Sequence, residues 1–211
     1  MKRVINLDNW NRKEHFKFFS ALDDPFWGIT TTVDFTSIYQ QSKNMEVSFF
    51  LYSVHFLLKC INATTAFKLR IENGEVVEYD KINISPTIGR EDGTFGFGFF
   101  EYDTDLSLFI ENAEKEIHRV KNSTGLSFSK DTARADVIRY SALPWFAFSE
   151  MKHAGSIQTG DSIPKISTGK LIQEKKKLLL PISISVHHGL VDGRNVAEFI
   201  QNVKDGQNNT I

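Results

Sequence analysis

Hydrophobic residues recur every third or fourth position in four segments of the chain, a spacing that predicts helices. The segments are residues 9–22, 46–64, 104–121 and a final one that carries Val196, Phe199, Ile200 and Val203 on one face. Asp8 and Asn9 are candidate caps of the first helix. The stretch TSIYQQSKN predicts a further short turn of helix.

Shorter segments rich in β-branched and aromatic residues predict strands at residues 27–36, 82–88, 94–102, 137–141 and 164–173. Asn73-Gly74 predicts a tight hairpin. After the turn QEKKK, apolar residues from Leu180 to Val186 alternate with smaller ones, the period of a half-buried strand. The whole pattern predicts one α+β domain over residues 1–211. We expect a two-layer sandwich, with one large mixed β-sheet and helices on one face.

The last strand ends in two adjacent histidines, within the stretch ISISVHHGLVDG. Because side chains alternate along a strand, His187 is predicted to point away, and His188 back toward the protein or a cleft. Imidazole is the usual general base near neutral pH, although a lone inward histidine is more often structural. His188 is therefore the candidate base, and His187 is assigned no catalytic role.

Two other interpretations of this stretch require residues that the sequence lacks. A catalytic zinc site needs three protein ligands, but the histidines are adjacent and no second His/Cys cluster occurs, so no metal is expected. A serine hydrolase needs a G-x-S-x-G elbow, which is absent. The remaining hypothesis is a histidine that acts directly on a substrate hydroxyl, without a covalent enzyme intermediate.

Composition excludes further classes of function. The formal net charge of −1 over 211 residues gives no indication of nucleic-acid or anionic-membrane partners. The longest apolar run is too short to span a bilayer and the N-terminus lacks a signal-peptide core, so we expect a cytoplasmic protein. Cys60 is expected to be a buried thiol. The 18 phenylalanines exceed what a core alone explains, and an apolar pocket or subunit interface would use the rest.

Four stretches carry recognisable motifs. VHHGLVDG contains an H-H-x-x-x-D-G signature, and NWNRKEHFKFF contains a W-x-R-[KR]-E-H-F segment. SALPW fits the pattern S-A-[LN]-P-W, and LLLPISISVHH is the strand that leads into the histidine. In these, and nearly from end to end, the chain resembles the chloramphenicol acetyltransferase family. The H-x-x-x-D-G core alone is shared with other acyltransferases that use thioesters, so the remaining stretches discriminate. The resemblance implies a homotrimer with active sites at subunit interfaces, and acetyl-CoA as co-substrate with no permanently bound cofactor.

The same resemblance implies roles for individual residues. His188 takes the position of the general base that deprotonates the acceptor hydroxyl, and Ser141 that of the hydroxyl that stabilises the oxyanion. Arg12 and Asp192 take the positions of a buried ion pair that shapes the catalytic loop. The coenzyme channel would be lined by Trp145, Ser167 and Lys170, and the acceptor pocket by Phe19, Trp27 and Phe95.

The acceptor side departs from the family. The usual E-T-E-T-F-S stretch is REDGTFGF here, Asp23 and Asp24 add charge where the pocket begins, and Arg139-Tyr140 precede Ser141. The leading hypothesis is O-acetylation of chloramphenicol. The same chemistry on a different hydroxylated acceptor is a second hypothesis, and a non-catalytic trimeric binding protein on this scaffold is a third.

Overall fold

Ten strands and five α-helices follow one another along residues 1–155 and 160–208, which the computed structural model describes. The strands are β1 (Lys2–Val4), β2 (Phe26–Asp34), β3 (Leu69–Glu72), β4 (Glu75–Tyr79), β5 (Asn83–Gly89), β6 (Phe95–Phe97), β7 (Val137–Ala142), β8 (Lys165–Thr168), β9 (Ile172–Glu174) and β10 (Lys177–His187). The helices are α1 (Lys13–Ser20), α2 (Thr36–Asn44), α3 (Phe49–Ala63), α4 (Leu106–Lys121) and α5 (Gly193–Asn208).

Seven strands form one mixed sheet in the order β2-β10-β8-β7-β5-β6, with β9 paired to β10. β7 runs parallel to both β5 and β8, and the other pairs are antiparallel. The predicted fold class, α+β with a large mixed sheet, is confirmed. The hairpin at Asn73-Gly74 is also present, with φ values of 52° and 81°, but it belongs to a separate small sheet, β1-β4-β3.

Helix α3 lies at the centre of the helical layer, in contact with α2, α4 and α5. It is apolar on nearly every side because it has neighbours on nearly every side. Ile182, Ile184 and Val186 of β10 belong to the same core, as the alternation predicts. Fully buried phenylalanines account for part of the surplus: Phe35, Phe67, Phe100, Phe109 and Phe199. Cys60 is buried as expected, and burial raises the pKa of its thiol to about 12.

The opposite face of the sheet is covered, which the alternating pattern does not predict. Ser167 and Ser183 on this face are only 1% and 2% exposed. The Ser183 hydroxyl donates to the Met151 carbonyl at 3.4 Å, and the Ser167 hydroxyl lies 3.0 Å from Nε2 of His153. β10 is therefore buried on both faces rather than half-buried, because the segment that follows β7 folds back over its polar side.

Other boundaries differ locally from the predictions. The first helix begins only at Lys13, after a short 3-10 turn over Leu7–Asn9 whose cap is Asn6, so neither Asp8 nor Asn9 caps it. The strand predicted at residues 94–102 shortens to β6, and the one at residues 164–173 divides into β8 and β9. Within the described ranges, no helix combines the length and apolarity needed to cross a bilayer.

Candidate active site

His188 lies immediately beyond β10, held from both sides by aromatic rings. Its backbone N–H donates to the carbonyl of Pro25 at 2.8 Å. The Phe19 ring stacks on the imidazole with centroids 3.8 Å apart and planes inclined by 12°, and Trp27 lies 5.4 Å away. The indole N–H of Trp27 donates to the Val191 carbonyl at 3.0 Å, which ties β2 to the loop after the histidine. Phe19 and Trp27, predicted as acceptor contacts, thus pack against the candidate base.

The neighbouring His187 shapes the turn that carries His188. Its carbonyl accepts the N–H groups of Leu190 and Val191, both at 3.0 Å, and its Nδ1 accepts the N–H of Gly189 at 3.2 Å. Burial lowers the pKa of His187 to about 4; the Asp161 carboxylate opposes this shift and the nearby His188 adds to it. A neutral ring with Nδ1 as acceptor carries its proton on Nε2. The sequence assigned no catalytic role to His187; in the structure its hydrogen bonds shape the local turn.

Asp192 combines two tasks with its two carboxylate oxygens. One oxygen pairs with the Arg12 guanidinium, which also donates to the His188 carbonyl at 3.2 Å. The other caps α5 by accepting the N–H groups of Arg194 at 3.0 Å and Asn195 at 3.2 Å. The side-chain oxygen of Asn195 in turn accepts the Asp192 N–H at 3.0 Å, as in a capping box. The N-terminus of α5 and the histidine loop are thereby linked.

The ion pair is partly exposed in a single chain, which differs from the buried pair that was expected. The side chain of Arg12 is 15% exposed and that of Asp192 33%. Burial alone would raise the pKa of Asp192, but the hydrogen bonds from Arg12 and from the helix N-terminus outweigh it, and the pKa lies below its ordinary value. Asp192 therefore remains a carboxylate near neutral pH.

Ser141 lies on β7, on the sheet face opposite the helices. Its backbone register pairs it with Ser167 of β8. The hydroxyl of Thr87 on β5 donates to the Ser141 hydroxyl at 3.2 Å. Because Ser141 accepts this bond, its own hydroxyl hydrogen is available to donate elsewhere, as an oxyanion stabiliser requires. Thr87 was not predicted, since no local motif links it to a residue 54 positions away.

An aromatic surface adjoins Ser141, and only part of it was predicted. Phe97 of β6 is the cross-strand partner of Thr87. Phe95 packs edge-on against Phe97 at 5.8 Å, and Phe128 stacks on Phe97 at 5.4 Å. Phe95 is 47% exposed and Phe128 70%, so this surface is open to solvent. The excess of phenylalanine was a signal for such a surface but did not identify Phe97 or Phe128.

The three predicted coenzyme residues differ in accessibility. Trp145 is 73% exposed, and Lys170 is exposed as well. Backbone bonds bring their segments together: Lys170 N–H donates to the Phe146 carbonyl at 3.0 Å, and Leu143 N–H to the Thr168 carbonyl at 2.8 Å. Trp145 and Lys170 therefore share one edge of the molecule. Ser167 is buried beneath His153.

The predicted residues fall into two separate groups in one chain. His188, Phe19, Trp27, Arg12 and Asp192 lie at the β2 edge of the sheet, whereas Ser141 and Phe95 lie toward the β6 edge. Ser141 is level with Ser183 in the register, two strands away, and His188 follows Ser183 by five residues. With a rise of ~3.3 Å per residue and a strand spacing of ~4.8 Å, about 19 Å separates His188 from Ser141. The candidate base and the candidate oxyanion donor of one chain are therefore too far apart to act on the same substrate atoms.

A cleft of about 780 Å³ opens beside β2 on the covered face of the sheet. Its walls include His187, Lys165 and Asp161. Lys165 is buried; its ammonium lies 3.2 Å from the Asp161 carboxylate and 4.0 Å from the centre of the Phe26 ring.

Across residues 1–155 and 160–208, no three His, Cys, Asp or Glu side chains are grouped so that they could hold a metal ion.

The sequence profile of the family described as "Chloramphenicol acetyltransferase" matches residues 2–204. The chain belongs to the chloramphenicol acetyltransferase family. Members of this family are acyltransferases that use acetyl-CoA as co-substrate, and acetyl transfer to chloramphenicol is the family function. Chloramphenicol acetyltransferase 3 of Escherichia coli is 27% identical over 202 residues, which cover 95% of this chain and 94% of that protein.

Comparison with another member of the family and with solved structures supports this family assignment. The chloramphenicol acetyltransferase of Clostridioides difficile is 28% identical over 205 residues, covering 95% of this chain and 93% of that protein. A solved chloramphenicol acetyltransferase superposes with a TM-score of 0.90 at 29% identity, covering 98% of this chain and all of the other. A probable dihydrolipoamide acetyltransferase from Listeria monocytogenes has a TM-score of 0.69 at 13% identity, covering 98% of this chain and 94% of the other, and shares the fold.

Proposed function

We propose that this chain O-acetylates chloramphenicol from acetyl-CoA in a homotrimer whose active sites are shared between subunits. One observation carries the proposal. His188 and Ser141 each have supporting contacts of their own, but about 19 Å separates them within a chain. An active site that uses both residues requires His188 from one subunit and Ser141 from another.

In this site His188 takes the proton of an acceptor hydroxyl as its oxygen attacks the thioester carbonyl of acetyl-CoA. The carbonyl becomes a tetrahedral oxyanion, to which the Ser141 hydroxyl donates. The intermediate collapses with cleavage of the carbon–sulfur bond, and the imidazolium returns its proton to the leaving thiolate. The products are the acetyl ester and free coenzyme A, and the enzyme is unchanged. The rings of Phe19 and Trp27 hold the imidazole in place for both proton transfers.

The substrates would approach Ser141 from different directions. Trp145 and Lys170, both exposed and on one edge, supply an aromatic face and a cation for the coenzyme. Ser167 reaches the coenzyme only if His153 is displaced from its hydroxyl. Phe95, together with Phe97 and Phe128, supplies an apolar surface for the acceptor.

We further propose that residues 1–211 act as one catalytic domain in the cytoplasm. A single hydrophobic core that extends from Phe16 to Val203 supports one domain. An intracellular co-substrate and an unpaired, buried Cys60 agree with a cytoplasmic location.

A different hydroxylated acceptor is a second candidate, because the segment between β5 and β6 departs from the family pattern. Release of free thiol from acetyl-CoA separates the two candidates. Release that depends on both chloramphenicol and His188 supports chloramphenicol as the acceptor. Slow release that is independent of chloramphenicol but lost in His188→Ala points to the other acceptor, and no release by folded protein contradicts an acetyltransferase.

Co-expression of two inactive variants tests the shared site. His188→Ala chains retain Ser141, and Ser141→Ala chains retain His188, so mixed trimers regain intact interfaces. Random mixing leaves about a quarter of the sites with both residues, and we expect about a quarter of the wild-type activity. The control joins both substitutions in one chain and co-expresses it with either single variant. Absence of activity from the two single variants, when mixed trimers are present, would refute the shared site.

A further inference from the structure

The segment that connects β5 to β6 contains an arginine whose side chain turns inward. Arg90 follows β5, and its guanidinium reaches the end of α4 and the loop beyond it. Its Nε donates to the Val120 carbonyl at 2.9 Å, and one terminal nitrogen donates to the hydroxyls of Ser123, at 3.2 Å, and Ser127. The other donates to the Thr94 hydroxyl at 3.1 Å. One side chain thereby joins the β5–β6 hairpin, the C-terminal end of α4 and the loop after α4.

Gly96 is the residue that leaves room for this guanidinium. A Cβ built on Gly96 would lie 2.5 Å from Nη2 of Arg90 and 2.6 Å from the Ser127 hydroxyl. Both distances are well below van der Waals contact. Any side chain at position 96 would therefore displace the arginine. In the E-T-E-T-F-S pattern of the family this position is a serine, so Gly96 departs from the pattern.

The loop after α4, to which Arg90 donates, has a backbone conformation that an isolated peptide would disfavour. Ser127 has a φ of 55°, in the left-handed region that residues other than glycine rarely occupy. Its hydroxyl accepts from Arg90 and also contacts the Ser123 hydroxyl. The next residue in the chain is Phe128, which stacks on Phe97. The backbone of Phe97 is bonded to the same loop, since its N–H donates to the Leu126 carbonyl at 2.9 Å.

These contacts connect Arg90 to the reaction centre. Phe97 lies across from Thr87, and Thr87 donates to the Ser141 hydroxyl. The rings of Phe95 and Phe128 both contact Phe97 and are exposed to solvent. The hydrogen bonds of Arg90 go to residues next to these rings rather than to Ser141, so any effect it has on the acceptor is indirect.

We propose that Arg90 is a positioning residue for acceptor specificity. Its guanidinium, accommodated by Gly96, fixes the loop of residues 123–128 so that Phe95, Phe97 and Phe128 form a rigid wall for the aromatic part of a hydroxylated acceptor. This inference rests on the proposed function, because it takes Ser141 as the centre at which the acceptor reacts.

The test replaces Arg90 with methionine, which keeps an unbranched apolar stem and removes every donor. Because the charge-assisted hydrogen bonds of Arg90 fix the wall, their loss should raise the KM for chloramphenicol about tenfold or more. The KM for acetyl-CoA and the kcat should change less than about twofold, because the wall contacts only the acceptor. Arg3→Met is the matched control: Arg3 also donates to a neighbour, Glu78, but on the small sheet.

A second pair of variants tests the dependence on Gly96. Gly96→Ala alone should displace the guanidinium and raise the acceptor KM like Arg90→Met. In an Arg90→Ala background the guanidinium no longer fills this space and no longer fixes the Ser127 hydroxyl, so Gly96→Ala should raise the acceptor KM less than it does in the wild-type background. Additive effects of Gly96→Ala and Arg90→Ala would overturn the pairing of these residues.

Hydrogen–deuterium exchange of residues 121–130 provides a readout that needs no acceptor. Exchange should accelerate in Arg90→Met and remain unchanged in Arg3→Met. Unchanged exchange in Arg90→Met would overturn the inference that Arg90 fixes the loop of residues 123–128, whether or not the enzyme turns over chloramphenicol. Accelerated exchange with an unchanged acceptor KM overturns the role in specificity. Failure of the wild-type chain to acetylate chloramphenicol would be a failure of the proposed function, recorded separately by the thiol-release assay.

Discussion

The ring of Phe19 lies flat against the ring of His188, with centroids 3.8 Å apart and planes 12° from parallel. A side chain predicted to touch the acceptor thus contacts the candidate general base. Phe19 is on α1 and His188 follows β10, so the contact joins the first helix to the end of the last strand. It defines the orientation of the imidazole together with Trp27.

Phe19→Leu should therefore lower kcat more than it raises the KM for chloramphenicol. Leucine retains much of the apolar volume but not the flat face, so the imidazole loses its orientation and the proton transfer slows. Misplacement of a catalytic group by ~1 Å costs up to about a hundredfold, and we expect a fall in kcat of about tenfold. Steady-state kinetics measures the division between kcat and KM. A rise in KM at constant kcat would instead identify Phe19 as an acceptor contact.

Thr87→Val should reduce kcat by about three- to tenfold, because the Ser141 hydroxyl loses the donor that directs its own hydrogen outward. Ser141→Ala should have the larger effect, about 10²–10³ in kcat, since it removes the oxyanion donor itself. Once Ser141 is alanine, Thr87→Val should have little further effect. The double variant checks this; independent losses would show that Thr87 acts by another route.

Asp192→Asn and Asp192→Ala should separate the two tasks of this residue. Asparagine is also a good helix cap, so Asp192→Asn loses mainly the ion pair with Arg12, at a cost of about 1–2 kcal/mol in the free energy of unfolding. Alanine removes the cap of α5 as well, for about 1 kcal/mol more. Urea unfolding of both variants measures the difference. Equal losses would mean that the cap contributes nothing.

Acidification should destabilise the protein through His187. Its folded pKa of about 4 lies below the ordinary value of 6.5, so the unfolded chain takes up a proton that the folded chain refuses. Stability is full above about pH 6.5 and declines as pH falls toward about 4, by roughly 2 kcal/mol after allowance for partial contact with solvent in the cleft. Burial lowers the pKa of His55 and His153 too, so they add to the decline in the same direction.

His187→Asn isolates the contribution of His187, because the asparagine side chain can still accept the Gly189 N–H but does not titrate. Urea unfolding at about pH 7 and about pH 5 should show a smaller loss of stability in this variant than in the wild type. His118→Asn, at an exposed histidine of α4, should behave like the wild type. An unchanged loss in His187→Asn would contradict the assignment.

The sequence by itself determined the features that depend on local spacing. The periodicity of α3 and α4, the Asn73-Gly74 turn and the alternation of β10 arise from neighbours within one element, where side-chain direction follows residue number. Motifs such as VHHGLVDG and SALPW identified the family, and made His188 and Ser141 candidate site residues, because their letters are contiguous. The extent of the first helix was misjudged because apolar spacing continued through residues whose backbone forms a 3-10 turn.

Only the tertiary structure decided how those residues meet. Arg12 and Asp192 are 180 positions apart, and only the family resemblance, not a local pattern, predicted that they pair. Thr87 and Ser141 are 54 positions apart, and nothing in the sequence predicted their contact. The distance between His188 and Ser141 follows from strand order and register. The covering of the polar face of β10 and the Arg90–Gly96 pair depend on how the connecting segments fold. Register is a property of the assembled sheet, since long-range packing selects which strands pair and at which level. That register separates His188 from Ser141 within each chain, which is why the proposed active site requires more than one chain.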